Sequence, residues 1–180
     1  MRGVVAGALV VLALAVVTAA AGSSSVPLAQ RVINFAGMTP NKTPAVVRSA
    51  ASWADGSDVT KAQLVKWGFV GGVGAQLSTP GNANRYGLSL VAEFSSAAGA
   101  AAYLRPTYTT HGPWKRFAVS GIPGAVGFAQ TDSGEGGSNV GFVAGPYAYV
   151  VGVGWQGGKS NEIANETLIA AAKQLYSRVK

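Results

Sequence analysis

The segment from Arg85 to Phe94 constrains this chain more than any other. Tyr86, Leu88, Leu90, Ala92 and Phe94 alternate there with Arg85, Gly87, Ser89, Val91 and Glu93. Alternation puts successive side chains on opposite faces of an extended backbone. The segment therefore predicts a β-strand with its larger residues toward a core and its other face largely toward water. Tyr147, Tyr149, Val151, Val153 and Trp155 repeat the same period with small residues between them. Strands of this kind are stable only when another layer covers their apolar face, so the chain must build a sheet and something to pack on it.

The flanking segments supply both. Trp67, Phe69, Val73 and Leu77 suit a glycine-rich strand, and Pro80-Gly81-Asn82 turns it into Arg85–Phe94 as a hairpin. Ser95 and Ser96 open a short helix with Ala98, Ala101, Ala102 and Leu104 inward, and Pro106 closes it. A second cycle follows: a strand from Trp114 to Val119, a turn at Ile122-Pro123-Gly124, and a strand from Ala125 to Gln130. Thr131 to Ser138 reads as a loop, Val140 to Ala144 as a returning strand, and the Tyr147–Trp155 strand ends at Gln156-Gly157-Gly158. The last helix starts at Ser160 or Asn161 and carries Ala164, Leu168, Ala171 and Leu175 on one face. Before the first strand, Thr43 as N-cap and Pro44 behind it open a helix bearing Val46, Val47, Ala50 and Trp53. A second short helix runs from Asp58 to Lys66 with Ala62 and Val65 inward. The expected fold is α+β: an antiparallel sheet of about five to six strands with helices packed on one face. The strand–strand–helix order occurs twice, the pattern of a duplicated ββα plan.

Residues 1–21 stand apart from this domain. Arg2 precedes an apolar run to Ala21, and Ala19-Ala20-Ala21 has the small residues of a signal cleavage site. The run is also just long enough to span a bilayer, with Arg2 favouring an inside N-terminus. A signal peptide and a retained membrane anchor both place the rest of the chain outside the cytoplasm, secreted or anchored. Residues 22–42 read as linker and irregular chain, and 43–180 as a single α+β domain. The chain has 180 residues, is 48% hydrophobic and only 12% charged, and so is rich enough in apolar side chains for a packed core. It has no cysteine, so the core must hold without disulfides, and thiol catalysis and lipidation at a cysteine are excluded.

Chemistry-bearing groupings are sparse. Gly152-Val153-Gly154-Trp155-Gln156-Gly157 has the spacing of a dinucleotide-binding turn, but the chain ends without the acidic residue that turn needs about 20 residues on. Gly152 and Gly154 instead leave room for a packed neighbour on their face of the strand. Asp132-Ser133-Gly134-Glu135 has glycines where a calcium loop needs oxygen ligands. His111 is the only histidine, which leaves no conventional metal site and no catalytic grouping visible in the sequence, and no cofactor is expected. The net charge is +7, with Lys61, Lys66, Arg85, Arg105, Lys115 and Arg116 against Glu93 alone between Val59 and Thr131. Outside a cell such a basic region suits an anionic envelope lipid or polymer, or another envelope protein, and not nucleic acid. The candidate binding residues are Arg85, Trp114, Lys115, Arg116, Tyr147, Tyr149 and Trp155, an aromatic and basic set on neighbouring strands.

Four stretches, Gly68–Gly72, Glu93–Ala100 into Tyr103-Leu104, Phe117–Ala125 and Gly141–Tyr149, resemble a recurrent domain of exported proteins and lipoproteins of actinobacterial, high-GC type. The resemblance covers about residues 66–180. Ser120 stands where those proteins often have proline, and the cysteine that many of them lipidate is missing. The resemblance implies an extracytoplasmic, non-catalytic binding or sensor-like module of unknown ligand, and it brings no catalytic residues. An exported hydrolase with a site assembled only in three dimensions, and a structural or assembly subunit of the cell envelope, are the alternatives.

Overall fold

The computed structural model describes residues 26–55, 59–107, 114–132 and 134–180. The apolar segment 1–21, Asp58 and His111 lie outside the described residues. Eight strands form one sheet: β1 (Thr39–Pro40), β2 (Val46–Val47), β3 (Phe69–Thr79), β4 (Asn82–Phe94), β5 (Lys115–Ala118), β6 (Val126–Asp132), β7 (Glu135–Ala144) and β8 (Tyr147–Trp155). Among the described residues the α-helices are α1 (Ala50–Ala54), α2 (Lys61–Lys66), α3 (Ala97–Thr107) and α4 (Asn165–Val179). The order across the sheet is β1-β3-β4-β8-β7-β6-β5, every neighbouring pair is antiparallel, and β2 also pairs along β3.

The sheet thus has more strands than the five to six expected, because β1 and β2 are two-residue edge strands too short to show a period. Val46 and Val47 do not belong to a helix capped by Thr43. They are β-branched, favour extended backbone, and pair with Val73 and Gly72. The helix begins later, where Ser49 accepts the amide of Ser52 as its N-cap. Likewise α2 is opened by a capping box of Thr60 and Gln63, and it buries Leu64 while Val65 remains 62% exposed. The stretch expected as a loop between Thr131 and Ser138 is a tight hairpin, with Gly134 in the left-handed region at φ 104°.

The helices also do not share one face. On the first face, Val73, Val91, Tyr149 and Val151 meet Leu168, Ala171, Ala172 and Leu175 of α4. On the second face, Ala92, Ala148 and Val150 meet Ala100, Tyr103 and Leu104 of α3, with Leu64 of α2 in the same cluster. Residues 26–42 are not a linker from 26 onward: Leu28, Ile33, Phe35 and Met38 are buried in the first-face core. Hydrogen bonds to the sheet and to α4 fasten that segment. Ile33 N–H donates to Ser89 Oγ at 3.0 Å, and Arg178 of α4 donates to the carbonyls of Gln30 and Val32 at 2.8 and 3.1 Å. Ser89 is buried for this reason, although the alternation placed it toward water.

Tyr149 lies in that core, stacked on Phe142 with ring centroids 4.9 Å apart. Burial pushes its hydroxyl above the usual tyrosine range, against the pull of the Arg31 guanidinium. Burial also raises the hydroxyls of Tyr103 and Tyr147. A raised folded-state value means that the native protein holds the proton more tightly than the unfolded chain. The stabilisation is complete below about pH 10, the ordinary tyrosine value, and is lost as pH rises through the folded values. Urea midpoints are therefore expected to fall steeply above about pH 10. Tyr149→Phe should make that fall shallower, and an unchanged slope would show that Tyr149 does not titrate with unfolding.

Candidate functional site

The second face of the sheet is only half covered. Helices α1 to α3 sit over the end carrying Ala92, Phe94 and Ala148. Toward the other end, Tyr86, Leu88 and Leu90 of β4 point out between Gly74 and Gln76 of β3 and Val150, Gly152 and Gly154 of β8. The result is a groove that crosses the strands. One part, of about 760 Å³, lies beside Trp53, Tyr103, Gly74 and Gln76. The next, about 560 Å³, lies over Leu88, Gly152, Asn139 and Trp114, and shares Asn41, Gln76 and Leu88 with the first. A shallower part of about 310 Å³ continues past Tyr86 and Trp114 to Gln130 and Glu135.

Glycines shape this surface. In register across β3, β4, β8 and β7 run Gln76, Leu88, Gly152 and Asn139, and the next row on the same face holds Tyr86, Gly154 and Gly137. A Cβ on Gly154 would strike the Tyr86 ring, a Cβ on Gly72 would strike Trp53, and one on Gly137 would lie 3.4 Å from Trp114. Gly154 and Gly72 each let an aromatic ring lie against the sheet, and Gly137 lies beside a third ring with the Val153 carbonyl closer still. Gly74 has nothing within 4 Å of its Cβ position, and Gly152 has only ordinary contacts, the nearest at 3.5 Å to Asn139 and the backbone of Ser138. The floor is therefore bare at Gly74 and Gly152 and covered by rings around them.

Lys42, Thr43, Ser52 and Asp55 line the part beside Trp53, and Glu135 the far end. Asn41, Gln76 and Asn139 line the central part, and among the described residues no charged side chain does. Asn139 Oδ1 is buried without a hydrogen-bond partner. An unmet acceptor of this kind costs about 1–3 kcal/mol. Trp53 Nε1 donates to Tyr103 Oη at 3.3 Å, which fixes the two rings at the α1–α3 end.

The residues singled out from the sequence lie in several places. Trp114 lines the groove. Tyr147 and Tyr149 are on the opposite face, where Arg31 lies over the Tyr147 ring and hydrogen-bonds Tyr149. Trp155 is also in the first-face core and borders the shallow part of the groove. Arg85 donates to the carbonyls of Ser160 and Asn161, both at 2.9 Å, and so pins the turn before α4. Lys115 and Arg116 are exposed on β5 at the sheet edge. The groove residues that the sequence reading missed are Tyr86, Leu88, Gln76, Asn139 and the bare glycines. A glycine gives no periodic signal, and Tyr86 and Leu88 look like core.

Among the described residues no three His, Asp or Glu side chains gather to hold a metal ion, and no helix is long and apolar enough to cross a membrane. No family model and no curated protein sequence matches this chain. Its fold is similar to the extracellular domain of PknH from Mycobacterium tuberculosis, with a TM-score of 0.52 and 17% identity over 79% of this chain and 84% of that one. The Rv0999 ortholog of Mycobacterium smegmatis aligns with a TM-score of 0.48 and 10% identity over 81% of this chain and 90% of that one. At these identities the likeness is one of fold alone.

Proposed function

We propose that this chain is an extracytoplasmic, non-catalytic binding module of sensor-like kind, and that its ligand lies in the groove on the second face of the sheet. The observation that carries this reading is the uncovered stretch of sheet, whose glycine floor is bare between fixed aromatic rings. A sheet face left to water ordinarily carries polar side chains, whereas this one keeps an open, largely apolar concavity with few polar groups at its centre. The apolar segment at residues 1–21 supports the compartment. The fold likeness to a domain whose own description is extracellular supports it further.

The non-catalytic half rests on where the acids are. Asp55 borders one end of the groove and Glu135 the other. Glu93 is engaged with Arg48 at 3.3 Å and with the Tyr147 hydroxyl at 3.3 Å. Glycoside hydrolysis of the usual kind needs two such groups flanking one bond.

The test is a thermal unfolding assay of the exported domain with aqueous and lipid extracts of a bacterial envelope. A fraction that binds the native state should raise the midpoint by several degrees. Gly74→Val puts a branched side chain into open space on the floor, and should keep the fold but lose that rise. No rise with any extract, or an equal rise in Gly74→Val, overturns the proposal.

A further inference from the structure

The groove also limits what its ligand is, if the binding reading above holds. Two glycines of the second face carry an aromatic ring of the chain laid against them, Gly72 under Trp53 and Gly154 under Tyr86, and Gly137 lies beside a third ring, Trp114. The bare glycines, Gly74 and Gly152, are places of the same kind with no ring of the chain on them. They lie on β3 and β8 with β4 between, two strands apart across the sheet and two residues apart along it, about 12 Å in all. A single small ring cannot cover both, but a row of linked flat rings can. Its neighbours are the amides of Gln76 and Asn139 and the aromatic faces of Trp53 and Trp114; among the described residues no charged side chain lines the part over Gly152, and Lys42 and Asp55, one of each sign, border the part beside Gly74 and Trp53. Amides donate to and accept from hydroxyls, aromatic faces meet the C–H face of a saturated ring, and a lining with no net charge favours a neutral ligand.

We infer that the groove binds a neutral glycan strand, with sugar rings on Gly74 and Gly152, held between Trp53 and Trp114, and with a hydroxyl that donates to Asn139 Oδ1. Binding requires the Asn139 side chain to turn, so that this oxygen, buried in the free protein, meets the ligand. The unmet acceptor then has a purpose: it is satisfied in the complex and unsatisfied in the free protein. An alkyl chain would leave Asn139 unmet and would gain little from an open, glycine-floored trough. A planar aromatic ligand would cover one bare glycine and not the other.

The experiment is calorimetric titration of the domain at millimolar concentration with neutral hexasaccharides of glucose, mannose, galactose, arabinose and N-acetylglucosamine. Decanoate and a naphthol serve as the alkyl and aromatic arms. At least one hexasaccharide is expected to bind. Asn139→Leu should weaken it about tenfold, the worth of one good hydrogen bond, and should melt no lower than the parent because it removes a buried unmet oxygen. Trp114→Ala should weaken binding roughly tenfold or more, and Gly74→Val should abolish it with the melting temperature kept. If no hexasaccharide binds, the glycan assignment is overturned. Binding of decanoate or the naphthol in its place, lost in Gly74→Val, keeps the groove as a site and ends only the assignment to sugar. Sugar binding that survives Gly74→Val puts the glycan elsewhere and overturns the inference.

Discussion

Arg31→Ala is expected to destabilise the domain by about 4 kcal/mol, read as a lower urea midpoint at neutral pH. Arg31 is only 1% exposed, in the middle of the first-face core. Its Nη1 donates to Tyr149 Oη at 2.6 Å and its Nε to the Val26 carbonyl at 3.0 Å, and its guanidinium lies 3.8 Å over the Tyr147 ring. Truncation removes a large packed side chain, which leaves a cavity, and withdraws a charged donor from a buried hydroxyl. Loss of the charge returns some desolvation energy, so the two effects must be separated. Arg31→Met keeps most of the volume and should lose about 1–2 kcal/mol, the share of the abandoned Tyr149 hydroxyl. Adding Tyr149→Phe to Arg31→Met should recover much of that loss, since no polar group is then left unmet. In Arg31→Ala the Ile33 amide should also exchange faster, because Arg31 holds down the segment that brings Ile33 to Ser89. A loss below about 1 kcal/mol for Arg31→Ala would show that this network is ornamental to stability.

The same network explains why residue size and polarity mislead about the two faces of β4. The alternation gave the strand and its period, and the hairpin with β3 follows from the turn at Pro80-Gly81-Asn82. Which face is drier is another matter, because it depends on what lies over each face. Gly87, Ser89 and Val91 look like the wetter side by size and polarity, yet all are buried. Their cover comes from residues 26–38, about fifty positions upstream, an irregular segment held in place by its own buried side chains, by Arg31, by the Ile33–Ser89 hydrogen bond and by contacts with α4. Tyr86 looks like core and is 53% exposed. It has the Gly154 backbone beneath it and open groove beside it. The rings and the glycines that receive them lie on different strands, so their match is a property of register, which one sequence does not display. Trp114 was legible as a surface aromatic. Tyr147 and Tyr149 were grouped with it because their strand alternates cleanly, but the period alone does not say that their face is the one α4 covers.

Gly99→Ala is expected to reverse the usual rule for helices. Alanine in place of an interior helical glycine ordinarily stabilises by about 1 kcal/mol. Here the expected change is a loss of about 3 kcal/mol, a fall in melting temperature of roughly 6–12 °C. Gly99 sits in the first turn of α3, its amide accepted by Ser96 Oγ at 3.1 Å. A Cβ there would fall on the backbone carbonyl oxygen of Trp67, with Phe94 Cβ only 3.3 Å away. The opposing atom is main chain at the junction of α2 and β3, so it cannot swing aside as a side-chain end would. Gly68 makes the matching accommodation: it has φ +76°, and its carbonyl accepts the Ser95 amide at 2.8 Å. The helix can relieve Gly99→Ala only by moving off the sheet, and α3 carries Tyr103, the partner of Trp53 at the end of the groove. The substitution should therefore weaken ligand binding as well as the fold, although Gly99 touches no groove atom. Ala98→Gly, one position earlier and exposed, is the control, and should cost about 1 kcal/mol with binding unchanged. A Gly99→Ala protein that melts at or above the parent would mean that α3 does not dock this closely on the Trp67 carbonyl, and the placement of the groove's Trp53–Tyr103 wall would fall with it.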